Sequence, residues 1–285
     1  MMEGIVKFES PSGIFVIELS YRADPAKRTP EWEREARQGL SDRAFRQEYG
    51  LDWTVASGLP VFGDDFVREW HVAKEPLKYL ADRPMIRGWD FGLQPACIFC
   101  QTDAMGRLNV LYEMVTWDGT GEVIQQGIET FAPAVVQESA ALFGQASDWL
   151  DFADPSGWSK SQTDEKSCVD IMRQAGIYPA RGPVTFTLRR RAVVARLQSA
   201  IGGRPSLLIS PRCHMIIQGM AGAYRYEQIG ETRRYREVPE KNAWSHPVDA
   251  LTYVIGALYT PRPREKDIDV DEVKRRPRKD KVTGY

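Results

Sequence analysis

Apolar residues fall in short runs separated by Gly, Pro, Asn and Asp, and the period within each run predicts its element. Residues 4–8 and 14–19 flank Ser10-Pro11-Ser12-Gly13, which predicts a hairpin. Thr29-Pro30-Glu31-Trp32 opens a helix with Thr29 as cap, Pro30 at the first helical position and acids in the first turn. Ser41-Asp42 can cap a second helix running to Tyr49, while Asp24-Pro25 and residues 58–63 read as loops. A hairpin and two short helices bury little alone. This leading segment is therefore expected to lean on something else, and the main domain boundary is expected near residue 80.

Beyond it, strands are predicted over 85–91, 96–102 and 108–116. The turns at Leu93-Gln94-Pro95 and Ala104-Met105-Gly106 are short enough to force antiparallel pairing. Helix and strand then alternate. A helix capped by Thr120, which Pro133 must interrupt or restart, ends near Phe143-Gly144 and leads into a buried strand over 149–153. A helix over 164–175 stops at Gly176, a short strand covers 178–180, and a helix over 188–201 stops at Gly202-Gly203. A strand over 206–210, a helix over 213–223, an exposed hairpin over 224–238 and a last helix over 246–259 complete the pattern. A meander followed by such alternation predicts an α/β fold, a mixed five-stranded sheet with helices on both faces. Ribonuclease H-like folds have this order. The expected division is a leading segment over 1–80, a main domain over 81–262 and a charged flexible tail over 263–285 with almost nothing to bury.

Composition adds boundaries. With 42% hydrophobic and 27% charged residues, the 285-residue chain reads as soluble and globular. No apolar run approaches the roughly 18 residues of a spanning helix, and the N-terminus has no signal-peptide layout, so a cytoplasmic location is expected. Cys97, Cys100, Cys168 and Cys213 lack a disulfide-scaffold spacing. Cys97 and Cys100 would face opposite sides of a strand, which disfavours a zinc or redox pair. A net charge of −1 leaves nucleic acid open, because binding depends on local patches.

The candidate chemistry is acidic. Met85-Ile86-Arg87-Gly88-Trp89-Asp90 is an apolar strand delivering one carboxylate, Trp149-Leu150-Asp151-Phe152-Ala153-Asp154 ends in another, and Ser245-His246-Pro247-Val248-Asp249 opens an apolar helix with a third. Hard divalent cations take oxygen ligands, and two Mg²⁺ or Mn²⁺ ions about 3.5–4 Å apart can clamp a phosphodiester. On this reading Asp90 bridges the ions while Asp154 and Asp249 each hold one. Each acid also has a bland reading as turn former or cap, and Asp249 could simply favour the helix dipole. His246 shares a helix face with Asp249 and could bind metal or water, or cap the helix. Asp151 points to the opposite strand face and is expected to be structural; Glu113 and Asp118 are weaker candidates for a fourth ligand. No Gly-x4-Gly-Lys-Ser/Thr loop exists, so P-loop nucleotide hydrolysis is not expected of this polypeptide alone.

Several stretches resemble the nuclease domain of the large terminase subunit of tailed bacteriophages. They are Arg87-Gly88-Trp89-Asp90-Phe91-Gly92, Ala153-Asp154-Pro155, Ile209-Ser210-Pro211-Arg212-Cys213 and, most specifically, Ser245-His246-Pro247-Val248-Asp249-Ala250-Leu251-Thr252-Tyr253, which is similar to the family's closing His-x-x-Asp-Ala-x-x-Tyr. Residues 24–49 look like the end of the ATPase domain and its linker. The resemblance implies a metal-dependent endonuclease that cuts concatemeric viral double-stranded DNA during genome packaging in the host cytoplasm. It implies catalytic Asp90, Asp154, Asp249 and His246, two Mg²⁺ or Mn²⁺ ions with DNA bound, and an ATPase motor, a small terminase subunit and a portal as partners. The chain departs from the family in lacking the N-terminal motor, expected on another chain or on a part not included, and in having Pro155-Ser156-Gly157-Trp158-Ser159-Lys160 after its second aspartate. DNA would approach along Lys160, Arg189, Arg190, Arg191, Arg196, Arg233 and Arg234. Two other readings share the acids: a junction resolvase or transposase-like nuclease, and a non-catalytic module docking DNA or portal.

Overall fold

A computed structural model describes residues 4–9, 15–37, 45, 49, 59–92, 94–116, 126–144, 146, 148–160, 165–229 and 235–260. The turn over 10–13, the caps at Ser41, Asp42 and Thr120, Asp118, Arg233, Arg234 and the tail lie outside them. The leading hairpin pairs β1 (Ile5–Glu9) with β2 (Phe15–Leu19), and α1 (Pro30–Ala36) starts as expected, the Thr29 hydroxyl accepting the Trp32 N–H at 3.2 Å. Tyr21, Trp32, Phe45 and Tyr49 form a small aromatic cluster, with Tyr21 stacked on Trp32 and the other rings meeting edge-on or tilted.

The segment from β3 (Leu59–Pro60) through α2 (Arg68–His71) was expected in the leading piece, yet it packs into the main body. Val61, Phe62 and Phe66 lie in the principal core, and the buried His71 ring contacts the Leu197 carbonyl through Nε2 at 2.9 Å. Its few apolar residues could not form a core of their own.

The central sheet has β4 (Met85–Asp90), β5 (Ala96–Thr102), β6 (Leu108–Val115), β7 (Trp149–Ala153), β8 (Ala180–Arg181) and β11 (Leu207–Ile209). Between the last two run α5 (Phe186–Gln198) and a small antiparallel ladder of β9 (Ala200–Ile201) with β10 (Arg204–Pro205). The sheet order is β11-β6-β5-β4-β7-β8, six strands where five were expected, with the short parallel strands β11 and β8 satisfying backbone groups at its two edges. The β4, β5, β6 meander is antiparallel and β7 runs parallel to β4.

Strand alternation divides the interior into two cores. Met85, Trp89, Cys97 and Phe99 face α3 (Ile128–Phe143) and α4 (Cys168–Gln174). Ile86, Ile98 and Cys100 face α5, α6 (His214–Gln218) and the last helix, α7 (Ser245–Tyr259). Cys97 and Cys100 are thus buried on opposite faces, and all four cysteines are free. α3 continues through Pro133 without a break, its Phe131, Ala132 and Val135 side chains buried against the sheet. The short strand predicted over 178–180 begins at Ala180 instead, with Tyr178 exposed. The hairpin of β12 (Arg225–Gln228) and β13 (Tyr235–Pro239) forms, with β3 added as a third strand. No helix among the described residues is long and apolar enough to cross a membrane.

α7 lies between the sheet and α5, which accounts for its buried surface on nearly every side. Gly88 makes this layering possible. A Cβ at that position would clash with the Ala250 carbonyl oxygen and lie 2.6 Å from Val254 Cγ2, so helix backbone rests directly on strand backbone. Gly88→Ala is expected to destabilise the protein by about 2–3 kcal/mol, read as a lower urea midpoint at constant slope. An unchanged midpoint would contradict the close approach.

Candidate functional site

Each acid comes from a different element. β4 and β7 are parallel with Trp89 opposite Ala153, and the Asp154 N–H donates to the Trp89 carbonyl at 3.0 Å. Asp90 and Asp154 therefore leave neighbouring strands at the same end of the sheet. The contact at Gly88 lays the start of α7 over that end. His246 Nδ1 lies 2.6 Å from Asp90 Oδ2, and Asp90 and Asp249 are only 2% and 3% exposed. His246 is not the cap: the Asn242 side chain accepts the Trp244 and Ser245 N–H groups, leaving the imidazole for Asp90.

Asp249 is held on both oxygens. Oδ1 accepts the Tyr224 hydroxyl at 2.8 Å and Arg189 Nη1 at 3.3 Å; Oδ2 accepts the Lys241 ammonium at 2.8 Å. Arg189 also donates to the Thr252 hydroxyl and lies over the Tyr253 ring at 4.2 Å. Asp154 is half-buried and caps the short turn Pro155–Trp158, accepting the Ser156 N–H at 3.0 Å and its hydroxyl at 2.7 Å.

Burial pushes Asp90 up to about 6; the Asp249 charge adds to the rise, while His246 and Lys241 oppose it. Burial would lower the Lys241 ammonium, but Asp249, Asp90 and Asp154 together outweigh it and hold this lysine above its ordinary value. Burial and then Asp249 hold the Tyr224 phenol protonated. One ammonium thus lies in the field of all three carboxylates, in direct contact with one.

Among the described residues, no group of three or more His, Cys, Asp or Glu side chains is ready-made to hold a metal ion. The reason is visible: Asp154 is turned to Ser156, and Asp249 is occupied by hydrogen bonds and cations. The donor set nevertheless suits a hard divalent ion. It consists of carboxylate oxygens from three elements, and one of them, Asp249 Oδ2, already holds a cation, the Lys241 ammonium, at 2.8 Å.

The other sequence candidates separate. Arg189, expected to contact DNA, is buried against Asp249, because α5 packs on α7 and turns this member of the arginine run inward. Arg196 is also committed to the protein, donating through Nη2 to the Gly106 and Ser206 carbonyls at 2.8 Å each and covering the Tyr259 ring. Arg190 is half-buried with Nε on the Val61 carbonyl at 3.2 Å, whereas Arg191 and Lys160 are exposed. Asp151 sits on the far face in a closed network, accepting two bonds from Arg87 at 2.8 and 3.0 Å and one from the Trp89 indole at 2.7 Å. Glu113, weighed as a fourth ligand, accepts the Met215 and Ile216 N–H groups at the start of α6 instead. Tyr224 and Lys241 were not expected at the site; nothing in their local sequence marks them, since both reach Asp249 from outside α7.

These features define a class: an α/β domain of ribonuclease H-like arrangement, with one acid ending the first strand of the central sheet, one just beyond the fourth, and one on a late helix. No protein-family model and no curated protein matches the chain. Solved structures do. A large terminase from a thermophilic bacteriophage aligns with 84% of this chain at TM-score 0.54 and 15% identity, and its ADP complex with 85% at TM-score 0.55 and 14% identity. The chain spans 55% of that terminase's length in both alignments. The nuclease domain of the bacteriophage P22 large terminase is matched over 70% of this chain and 91% of its own, at a TM-score of 0.49 and 12% identity. The likeness is one of fold: this chain has the architecture of part of a large terminase.

Arg189→Ala should destabilise the protein by about 3 kcal/mol, since it strips a buried carboxylate of one partner, while Arg191→Ala should stay within about 0.5 kcal/mol. Urea unfolding of both variants checks this, and equal stabilities would contradict the inward placement. Glu113 gives a pH effect. Burial pushes it from 4.5 up to about 7 despite its two N–H contacts, so its stabilising contribution is full below pH 4.5 and is lost as pH rises through about 7. Over that window wild type should lose about 3 kcal/mol relative to Glu113→Gln; parallel stability-versus-pH curves would contradict it.

Proposed function

We propose that this chain is the DNA-cutting part of a viral genome-packaging machine, a Mg²⁺- or Mn²⁺-dependent endonuclease acting on concatemeric double-stranded DNA. The observation that supports it most is the placing of Asp90, paired with His246, and Asp154 at one end of the sheet, with the start of α7 and its Asp249, paired with Lys241, laid over that end, on a fold shared with a large terminase. Asp90, Asp154 and Asp249 would hold the divalent ions. Such ions would activate a water and offset the charge developing on the leaving oxygen.

The chain's own residues prepare the site in separate ways. Tyr224 and Arg189 grip Asp249 through Oδ1, fixing the carboxylate and leaving Oδ2 to Lys241. His246 fixes Asp90 in the same manner through one short contact. Thr252 in turn holds the Arg189 guanidinium, so the support extends along α7 itself. Burial of Asp90 and Asp249 raises the cost of leaving them without a cation, which favours ion uptake.

Lys160 follows the turn capped by Asp154, and Arg191 is the outward member of its run; these two are the proposed phosphate contacts among the described residues. Contacts of this kind position a duplex without reading sequence, as cutting of a moving substrate requires. A motor, a small subunit and a portal are proposed partners, because the matched terminase extends well beyond the region this chain covers. A docking role without catalysis is the second reading, favoured by the lack of ready-made metal ligands among the described residues.

Supercoiled plasmid incubated with the purified chain and Mn²⁺ separates the readings. Wild type should nick it, EDTA should stop the reaction, and Asp90→Ala should slow it by about a hundredfold or more, the scale on which loss of one electrostatic stabiliser acts. Equal nicking by the two proteins would overturn the role of Asp90, and no nicking by wild type would favour docking.

A further inference from the structure

We propose that Lys241 is a tethered counter-ion: its ammonium occupies the acid cluster in the metal-free protein and must leave when a divalent cation enters. This rests on the metal-dependent reading above and adds a residue which that reading does not need. Asp249 is 3% exposed and already satisfied on Oδ1 by Tyr224 and Arg189, yet Lys241 contacts the remaining oxygen at 2.8 Å. That oxygen is the one left for a ligand. The carboxylates of Asp90 and Asp154 act on the same nitrogen. Two buried carboxylates close together repel each other, and the lysine ammonium on Asp249 offsets part of that repulsion while metal is absent.

The two cations on Asp249 differ in what holds them. Arg189 is enclosed, with a side chain 7% exposed, bonded to Thr252 and stacked on Tyr253, and it has no path out. Lys241 has a side chain 64% exposed and reaches the site from its rim. Its backbone is fixed on both sides: the Glu240 N–H donates to the Arg225 carbonyl at 2.9 Å, and the Asn242 side chain accepts the Trp244 and Ser245 N–H groups. Only side-chain rotations are then needed to withdraw the ammonium, and they open no part of the core. A lysine is suited to this exchange, being a compact charge on a flexible stem, whereas an arginine clamp resists it.

The exchange sets a competition. A divalent ion entering the cluster must break a charge-assisted contact to Asp249, so metal affinity in wild type is lowered by the strength of that contact. Removing the ammonium removes the competitor.

Mn²⁺ binding followed by electron paramagnetic resonance of the free ion, at fixed pH and salt, tests this on wild type, Lys241→Met, Lys241→Arg and Asp90→Ala. Lys241→Met should bind Mn²⁺ about tenfold more tightly than wild type, with Lys241→Arg no tighter than wild type. Equal or weaker binding by Lys241→Met, with wild type binding above the Asp90→Ala background, would overturn the counter-ion role and leave the nuclease reading standing. Binding by neither protein above that background would overturn both. A second readout needs no loss of the residue: on the wild-type chain, Mg²⁺ should shift the ¹³Cε resonance of Lys241, assigned by its absence in Lys241→Arg. An unmoved resonance at saturating Mg²⁺ would also overturn the exchange.

Discussion

The contact between Gly88 and the Ala250 carbonyl is the constraint on which the rest of the site depends. Strand β4 and helix α7 are separated by about 160 residues of chain, yet at this point nothing but backbone lies between them. Any side chain at residue 88 would lift the helix from the sheet and move His246 and Asp249 away from Asp90 together. The approach also explains the apolar character of α7 on nearly all sides: a helix lying directly on a sheet, with α5 over its back, has little surface left for water.

Two buried carboxylates show how the same chemistry can be spent differently. Asp151, on the α3 side of the sheet, is closed by a bidentate guanidinium and an indole N–H, with Arg87 tied further to Ser139. Every strong partner there is enclosed, and the network reads as structure. Asp249, on the α7 side, has one oxygen enclosed in the same way and the other facing a cation rooted at the solvent edge. Buried ion pairs contribute little net stability once desolvation is counted, so a buried carboxylate that keeps one oxygen on a solvent-edge lysine needs a reason other than stability.

Much of this was legible in the chain, and the parts that were not share a cause. Asp90 stood out because it ends an apolar strand before a glycine, and Asp249 with His246 because they open a long apolar helix at helical spacing. The meander and the helix-strand alternation gave the sheet its core order. Arg189 was misread because a run of three arginines looks like a solvated face; only the packing of α5 on α7 reveals that one of the three points inward. Lys241 and Tyr224 were invisible for the same reason, as neither lies on an element that carries an acid and both reach Asp249 across tertiary contacts. The inclusion of residues 59–79 likewise depends on long-range pairing, which no local period encodes.

Whether residues 90, 154 and 249 share a cation is measured most directly by anomalous diffraction from a crystal of the chain soaked in Mn²⁺. The account predicts an anomalous peak among those three carboxylates, with the Asp154 side chain turned from Ser156 towards it. Anomalous density found only elsewhere on the protein, with Asp154 still bonded to Ser156, would contradict it.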